Sequence, residues 1–559
     1  MEFYLLLSLL LWLSNLCLYI YLIFDQTYLW QIKEYRLDRM GSFLKNELKL
    51  RSLFSVLAIF KIVLLISSLL LFIHLNIYSL ILACIDLALN IFLTSVIIQR
   101  FITKKFRRPK VSIRNLLILA STLSLTIFSL MYPVYLVTKF PSPNLSIFLI
   151  GFFGIVNSTL LLSSFTFVGL IVLLTTPLAQ YRRRKIISAA KQKLRKMPEL
   201  KIIGITGSYG KTGTKEMLIK ILSTKYKLGF TQENMNTEVG VALSVLENLS
   251  SDAEIFIYEA GAYKKGEITK CTSIASPDIA IVTNVGKAHL DIFKSVENIA
   301  LAKFELPKAL KPNGIAILNN DNFYTKEMAK KINNKSLFFH TDEDNEFVEP
   351  DNNRRILSIF DINWDEPEVR FKVALEDTTV LFHTKIVGRL QLRNLGAVLL
   401  TCLELGFTLK ELSTLLADLI FESSHYKVYE GQSGVKIIDD GYNTNPEGFE
   451  SAITHLKILD AKYKILITRG IPEIGKELKP VYFALKENIH SSVNVFITTD
   501  KNFYEIINQD KPAGFTAYYI PDNDKLTETL KKYLNQSSAV LIEGRINPGL
   551  HQFIKLYNK

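Results

Sequence analysis

The stretch LKIIGITGSYGKTGTKEM, Leu200–Met217, decides how this chain is read. Leu200–Thr206 is a short apolar run rich in β-branched residues, and it predicts a strand. Gly207, Ser208, Tyr209 and Gly210 then make a turn. From Lys211 onward, Met217, Leu218 and Leu222 recur at helical spacing. The turn spells G-x-x-G-K-T, a phosphate cradle. Backbone N–H groups of the loop face phosphate oxygens, Lys211 neutralises their charge, and Thr212 can hold Mg²⁺. An ordinary strand-to-helix turn is the plain alternative. The order strand, loop, helix, together with GKT, favours nucleotide binding.

Downstream, three more apolar runs end in polar residues. Ala253–Tyr258 runs into Glu259, Asp278–Thr283 into Asn284 with His289 beyond, and Gly314–Leu318 into Asn319, Asn320 and Asp321. Open α/β sheets bind ligands beyond the carboxyl ends of their strands, so Glu259 and His289 are expected beside the phosphates. Ser295–Leu306 reads as a helix capped by Ser295. Val296, Ile299, Ala300 and Lys303 fall on its inward stripe. An inward lysine either snorkels to solvent or is desolvated and partly neutral, and a neutral amine can be modified. Beyond a hinge at Phe421–Tyr426, strands recur at Val435–Ile438, Lys464–Thr468, Asn494–Thr499, Thr516–Ile520 and Ala539–Ile542. Helical stretches between them make a second, Rossmann-like α/β domain.

Upstream, the pattern changes. Phe3–Phe24, Leu53–Leu75, Ile77–Ile98, Leu116–Val137 and Leu145–Pro177 are apolar runs long enough to cross a bilayer. Of the connections, Asp25–Arg51, Gln99–Arg114 and Tyr181–Lys201 hold six, seven and nine Lys or Arg, and the others almost none. That alternation predicts five spans with the N-terminus outside, the catalytic part in the cytoplasm, and the whole integral to the cytoplasmic membrane. Lys61 and Asp86, inside the second and third spans, read as an ion pair or as part of a polar pathway. Tyr181–Lys196 reads as a basic amphipathic helix on an anionic lipid surface. The expected domains are 1–180 (transmembrane), 181–198 (juxtamembrane helix), 199–424 (ATP-binding) and 425–559 (Rossmann-like). The net charge of +13 is placed in the basic connections, and no basic patch interleaved with aromatics points to nucleic acid. The four cysteines are far apart, which excludes a zinc ribbon and implies no disulfide framework.

From about Lys201 onward the chain resembles the Mur ligase family. The resemblance rests on TGSYGKTGTKEM, TQENMNTEVGVALSVL, YEAGAYKKGEI, PDIAIVTNVGKAHLDIF with ENIALAKFEL, GIAILNNDN and KIIDDGYNTNPEGFESAI, in the family's order. It implies an ATP-dependent, Mg²⁺-requiring ligase that activates a carboxylate as an acyl phosphate and joins it to an amine, ADP-forming, in cell-wall precursor synthesis. The partners it implies are a UDP- or lipid-linked muramyl peptide and an amino acid or dipeptide. By resemblance Lys211 holds the γ-phosphate, Thr212 and Glu259 ligate one Mg²⁺, and His289 ligates a second, supported by Lys303 as a carbamate. Asn394 matches the adenine-side asparagine. Asp440, Tyr442, Asn443 and Asn445 match the motif that closes over the nucleotide and substrates.

Departures are visible too. The family's uridine-binding domain is replaced by the apolar N-terminal region. Leu390 stands at a histidine position, Lys427 where an arginine is expected, and Gly213 where a hydroxyl residue is usual. Two rival readings are a ligase acting on a lipid-linked precursor or another polymer, and a membrane scaffold or transporter that binds ATP without ligating.

Overall fold

The computed structural model describes residues 20–32, 112–139, 143–232, 235–341, 355–365, 368–386, 388–421, 426–431, 434–441, 444–521, 523–544 and 548–556, with a few isolated positions. The chain divides into two compact units, Met1–Arg182 and Arg183–Lys559.

Among the described residues the second unit carries two sheets. The first has ten strands: β1 Lys201–Thr206, β2 Leu228–Phe230, β3 Ile255–Glu259, β4 Ile279–Val282, β5 Ile315–Asn319, β6 Lys335–Thr341, β7 Arg355–Asp365, β8 Glu368–Leu375, β9 Thr378–Ile386 and β10 Ile420–Phe421. Their order is β10-β9-β8-β7-β6-β5-β4-β1-β3-β2. β1 lies between β3 and β4 and is parallel to both. The chain leaves β1 for one side of the sheet and returns on the other, so the P-loop sits at the topological switch point. The central strands are apolar on both faces because both are covered, as a parallel sheet requires. Ile203, Ile205, Ile255 and Ile257 pack on one face, and Ile202, Phe256, Tyr258 and Val282 on the other.

Gly204 is fixed by close approach. A Cβ there would lie 2.8 Å from Leu306 and 2.9 Å from the Tyr258 hydroxyl. Its small size lets helix Val296–Lys308 sit directly on β1. Ser295 caps that helix, its hydroxyl accepting from Asn298 N, as expected. The antiparallel meander β7–β9 was not foreseen, although the alternation in EVRFKVAL (Glu368–Leu375) was its signal.

The second sheet has six strands: β11 Lys427–Glu430, β12 Lys436–Asp440, β13 Tyr463–Thr468, β14 Val495–Thr498, β15 Thr516–Tyr519 and β16 Ser538–Glu543. Their order is β11-β12-β16-β13-β14-β15, and only β11 is antiparallel. Five match expected strands to within two residues at each end.

The N-terminal expectation is corrected. Among the described residues no helix is long and apolar enough to cross a membrane. Lys61, Asp86 and the expected spans Phe3–Phe24, Leu53–Leu75 and Ile77–Ile98 lie wholly or almost wholly outside the described residues. The other two expected spans fall on helices Ile113–Lys139 and Pro143–Arg195, and the latter does not stop at Pro177. The physical reason is that hydropathy counts apolar residues without saying what they face. Ile118, Val168 and Val172 are buried with Trp30 and Met40 in a small protein core. Arg114 donates to Val172 O at 2.8 Å and to the Thr176 hydroxyl at 3.0 Å.

The basic helix is corrected in the same way. Its apolar stripe, Ile186, Ile187, Ala190 and Leu194, packs into the core of the second unit, with Ala190 fully buried. Lys193 donates to Leu246 O at 3.2 Å, and Arg183 pairs with Glu238. An amphipathic stripe records that a helix covers something apolar, and here that is protein. The integral-membrane location and the outside N-terminus, inferred from the five spans, lose their basis with them.

Candidate active site

The P-loop is held from below by the end of β4. Ser208 N donates to Asn284 O at 2.9 Å, and the Ser208 hydroxyl accepts from Gly286 N at 2.9 Å. Thr283 donates to Tyr209 O at 2.5 Å, and Tyr209 itself is buried. Gly210 has φ +82°, and a Cβ there would lie 2.5 Å from the Asn394 side chain. Both the turn and the neighbour therefore demand glycine. Asn394 comes from helix Arg389–Glu404 and is 5% exposed, so the structure does bring it against the loop.

Lys211 opens helix Lys211–Leu222, and its Nζ reaches back to donate to Gly207 O at 2.7 Å. Burial lowers its pKa, and the nearby Glu259 carboxylate opposes that shift. Thr212 donates to Glu259 Oε2 at 3.1 Å. The other carboxylate oxygen lies 2.7 Å from Lys215 Nζ, an ion pair with both side chains nearly sealed from solvent. Lys215 also donates to Thr231 O at 2.8 Å, and the Thr231 hydroxyl accepts from Glu259 N. Glu259 is thus clamped at the end of β3. Sequence reasoning missed Lys215. Its signal was spacing: it lies one turn after Lys211 on the same helix.

Lys303 is 4% exposed on helix Val296–Lys308. No hydrogen bond or ion pair to its amine is found among the described residues. Burial pushes its pKa well below the usual lysine range, and the charge of Lys211 pushes it further. The amine is therefore held toward its neutral form near Lys211.

His289 stands at the start of the short helix Leu290–Phe293 with φ +58°. Its Nδ1 meets Glu473 of the loop after β13 at 2.5 Å, and its ring packs 4.7 Å from that of Tyr263. Glu447, next to the helix-starting Pro446, accepts from Lys287 N at 3.3 Å. Glu447 and Glu473 were also missed, since nothing local in the sequence says that the two sheets' loops meet.

Asn445 caps helix Pro446–Ile458, its side chain accepting from Gly448 N at 2.9 Å. Asp440 pairs in register with Glu543 across β12 and β16. Burial, aided by Asp439, pushes the Asp440 carboxyl up to about 7, and burial raises Glu543 well above the usual range. Tyr442 and Asn443 lie outside the described residues.

The donor set suits Mg²⁺: a hydroxyl and a carboxylate oxygen within hydrogen-bond reach at a phosphate loop. Mg²⁺ commonly takes one or two carboxylates and completes its shell with phosphate and water. Among the described residues, no three His, Cys, Asp or Glu converge as a metal cluster.

Residues 205–402 match the Mur ligase middle domain. Mur-type ligases are ATP-dependent, ADP-forming enzymes that make an amide bond, and over those residues this chain is similar to them. More particularly, the chain is similar to UDP-N-acetylmuramoyl-tripeptide–D-alanyl-D-alanine ligases. It is 29% identical to that of Bacillus subtilis over 54% of this chain and 61% of the relative. It is 27% identical to that of Borreliella burgdorferi over 70% of this chain and 80% of the relative. The crystal structure of MurF ligase from Thermotoga maritima in complex with ADP superposes with a TM-score of 0.56, at 26% identity over 66% of this chain and 82% of that one.

Proposed function

We infer that the chain is a MurF-like ligase joining D-alanyl-D-alanine to the tripeptide carboxylate of a UDP-linked muramoyl precursor. The observation that carries the reading is Lys211, Thr212 and the clamped Glu259, with the buried Lys303 close by, at the switch point of the sheet. Domains 199–424 and 425–559 are its working parts. Loop N–H groups from Gly207 to Gly210 and the Lys211 ammonium hold the γ-phosphate, and Asn394 flanks the nucleotide. A carboxylate oxygen of the precursor attacks the γ-phosphorus and the bond to ADP breaks. The dipeptide amine then attacks the acyl carbon, loses a proton, and phosphate leaves. Thr212, Glu259 and His289 would hold Mg²⁺, which would neutralise charge gathering between two anions. By the resemblance, Asp440, Tyr442, Asn443 and Asn445 belong to the motif that closes on the site, and Asn445 caps the helix that follows.

Lys303 suits a carbamate. Its near-neutral amine adds to CO₂, releasing one proton, and the resulting anion turns repulsion from Lys211 into attraction. The alternative of a lipid-linked acceptor rests on the missing uridine-binding domain and the anionic-lipid contact on the basic helix, whereas the relatives are named for a UDP-linked acceptor. The intact set Lys211, Glu259, His289 and Lys303 speaks against an ATP-binding scaffold. The test is ADP and product formation from ATP, UDP-N-acetylmuramoyl-tripeptide and D-alanyl-D-alanine. The expected result is one amide product per ADP. ATP hydrolysis without product, or no dependence on the dipeptide, would overturn the reading.

A further inference from the structure

The second sheet's contribution is concentrated in a few side chains that reach the loop after β4. Glu473 Oε2 meets His289 Nδ1 at 2.5 Å, and the Glu473 carbonyl accepts from Asp291 N at 3.0 Å. Lys287 and Glu477 form a looser pair at 3.4 Å, both side chains about half exposed. Both His289 and Glu473 have left-handed backbone, φ +58° and +61°, which non-glycine residues adopt only when their surroundings impose it. Two such residues in contact, from loops of two different sheets, mark a contact held against local preference. The histidine meets the tilted ring of Tyr263 and, at Nδ1, a carboxylate.

We propose that Glu473 is the positioning residue for His289, supplied by the C-terminal sheet. The inference rests on the ligase reading above, in which His289 faces a Mg²⁺. With Nδ1–H donating to Glu473, the tautomer is fixed and the Nε2 lone pair is left for a cation. Carboxylates that orient a ligand histidine in this way change metal affinity by about 10–100-fold when removed. The consequence is that the metal site is complete only when the loop Gly470–Glu477 is docked. Closure of the C-terminal sheet and metal binding are then one event.

The experiment titrates Mn²⁺ into the full chain with saturating ADP, read by electron paramagnetic resonance, alongside metal-free ADP binding by calorimetry. Glu473→Ala is expected to weaken the weaker Mn²⁺ site about 10–100-fold and to leave metal-free ADP binding unchanged. Glu477→Ala, which loosens the same loop without touching the histidine, is expected to leave both unchanged. In a His289→Ala background, Glu473→Ala should add nothing, since its action runs through the imidazole. Equal losses from Glu477→Ala and Glu473→Ala would overturn the proposal in favour of general docking. So would an additive loss without His289, or wild-type Mn²⁺ binding in Glu473→Ala. A wild-type chain that forms the amide product yet binds a single Mn²⁺ would sink this proposal alone. Failure to form product at all would sink the ligase reading.

Discussion

The carboxyl ends of β1 and β3 gather Lys211 and Lys215 about the Glu259 carboxylate, with Lys303 close enough to Lys211 to feel its charge. The carboxyl ends of β12 and β16 instead set Asp440 beside Glu543. Both ends belong to parallel-paired strands with buried aliphatic residues. The difference lies in how charge is settled. At the first sheet, fixed cations answer the acid, which is the arrangement the proposed ligase reading needs for phosphate oxygens. At the second, two acids share a buried position, and a proton is the simplest way to settle it. One end is built to receive anions, and the other is built to avoid becoming one.

Replacing Lys211 tests the first half most severely. Lys211→Ala removes the cation aimed at the γ-phosphate, and kcat should fall by about 10²–10³-fold, measured as ADP release. Near-wild-type turnover would break the assignment of this end as the phosphate site. Lys303→Ala should be nearly as damaging, and an added short carboxylic acid should restore part of the rate by filling the anionic position. Activity independent of both Lys303 and bicarbonate would show that the buried amine is only packing.

The acid pair makes a prediction with a sign. Asp440 has its folded pKa raised from the usual carboxylate value to about 7. Between the unfolded and folded values, the native state binds the extra proton, so stability falls as pH rises from about 4 to about 7. Asp440→Asn removes the charge but keeps the shape. It should therefore raise Tm relative to wild type at pH 8, with the gain fading toward pH 4. A gain that grows toward low pH would break the contrast. The smallest effect belongs to a structural residue of the second sheet. Asn445→Ala deletes a cap on helix Pro446–Ile458 and should cost about 1 kcal/mol in denaturant unfolding. Loss of ADP affinity well beyond that destabilisation would sharpen the comparison, giving this end a direct part in binding.

Much of the central site was legible because its signals are local. A strand, a glycine turn and GKT fall within eighteen consecutive residues, and Glu259 marks the end of an apolar run. The helix carrying Lys303 announced itself by its stripe and its Ser295 cap, both of which the structure bears out. The same reasoning failed on the N-terminal region, where periodicity and apolar length are also local signals. Those signals report that Ile118, Val168 and Ala190 seek an apolar neighbour, and they are silent on whether the neighbour is lipid or protein.

The sequence by itself therefore determined the order of strands and helices, the phosphate loop, and the residue types at the strand ends. These follow from backbone sterics and from the burial of periodic side chains, which operate over a few residues. Only the tertiary structure decided that Lys215 clamps Glu259, that Lys303 is buried within reach of the charge of Lys211, and that Asp440 meets Glu543. It also decided that Glu473 crosses to His289 and that the basic helix covers protein. Each of these joins residues distant in the chain or depends on the charge and solvent around a side chain. Electrostatic energies depend on separation and burial in space, and no spacing along the sequence encodes either.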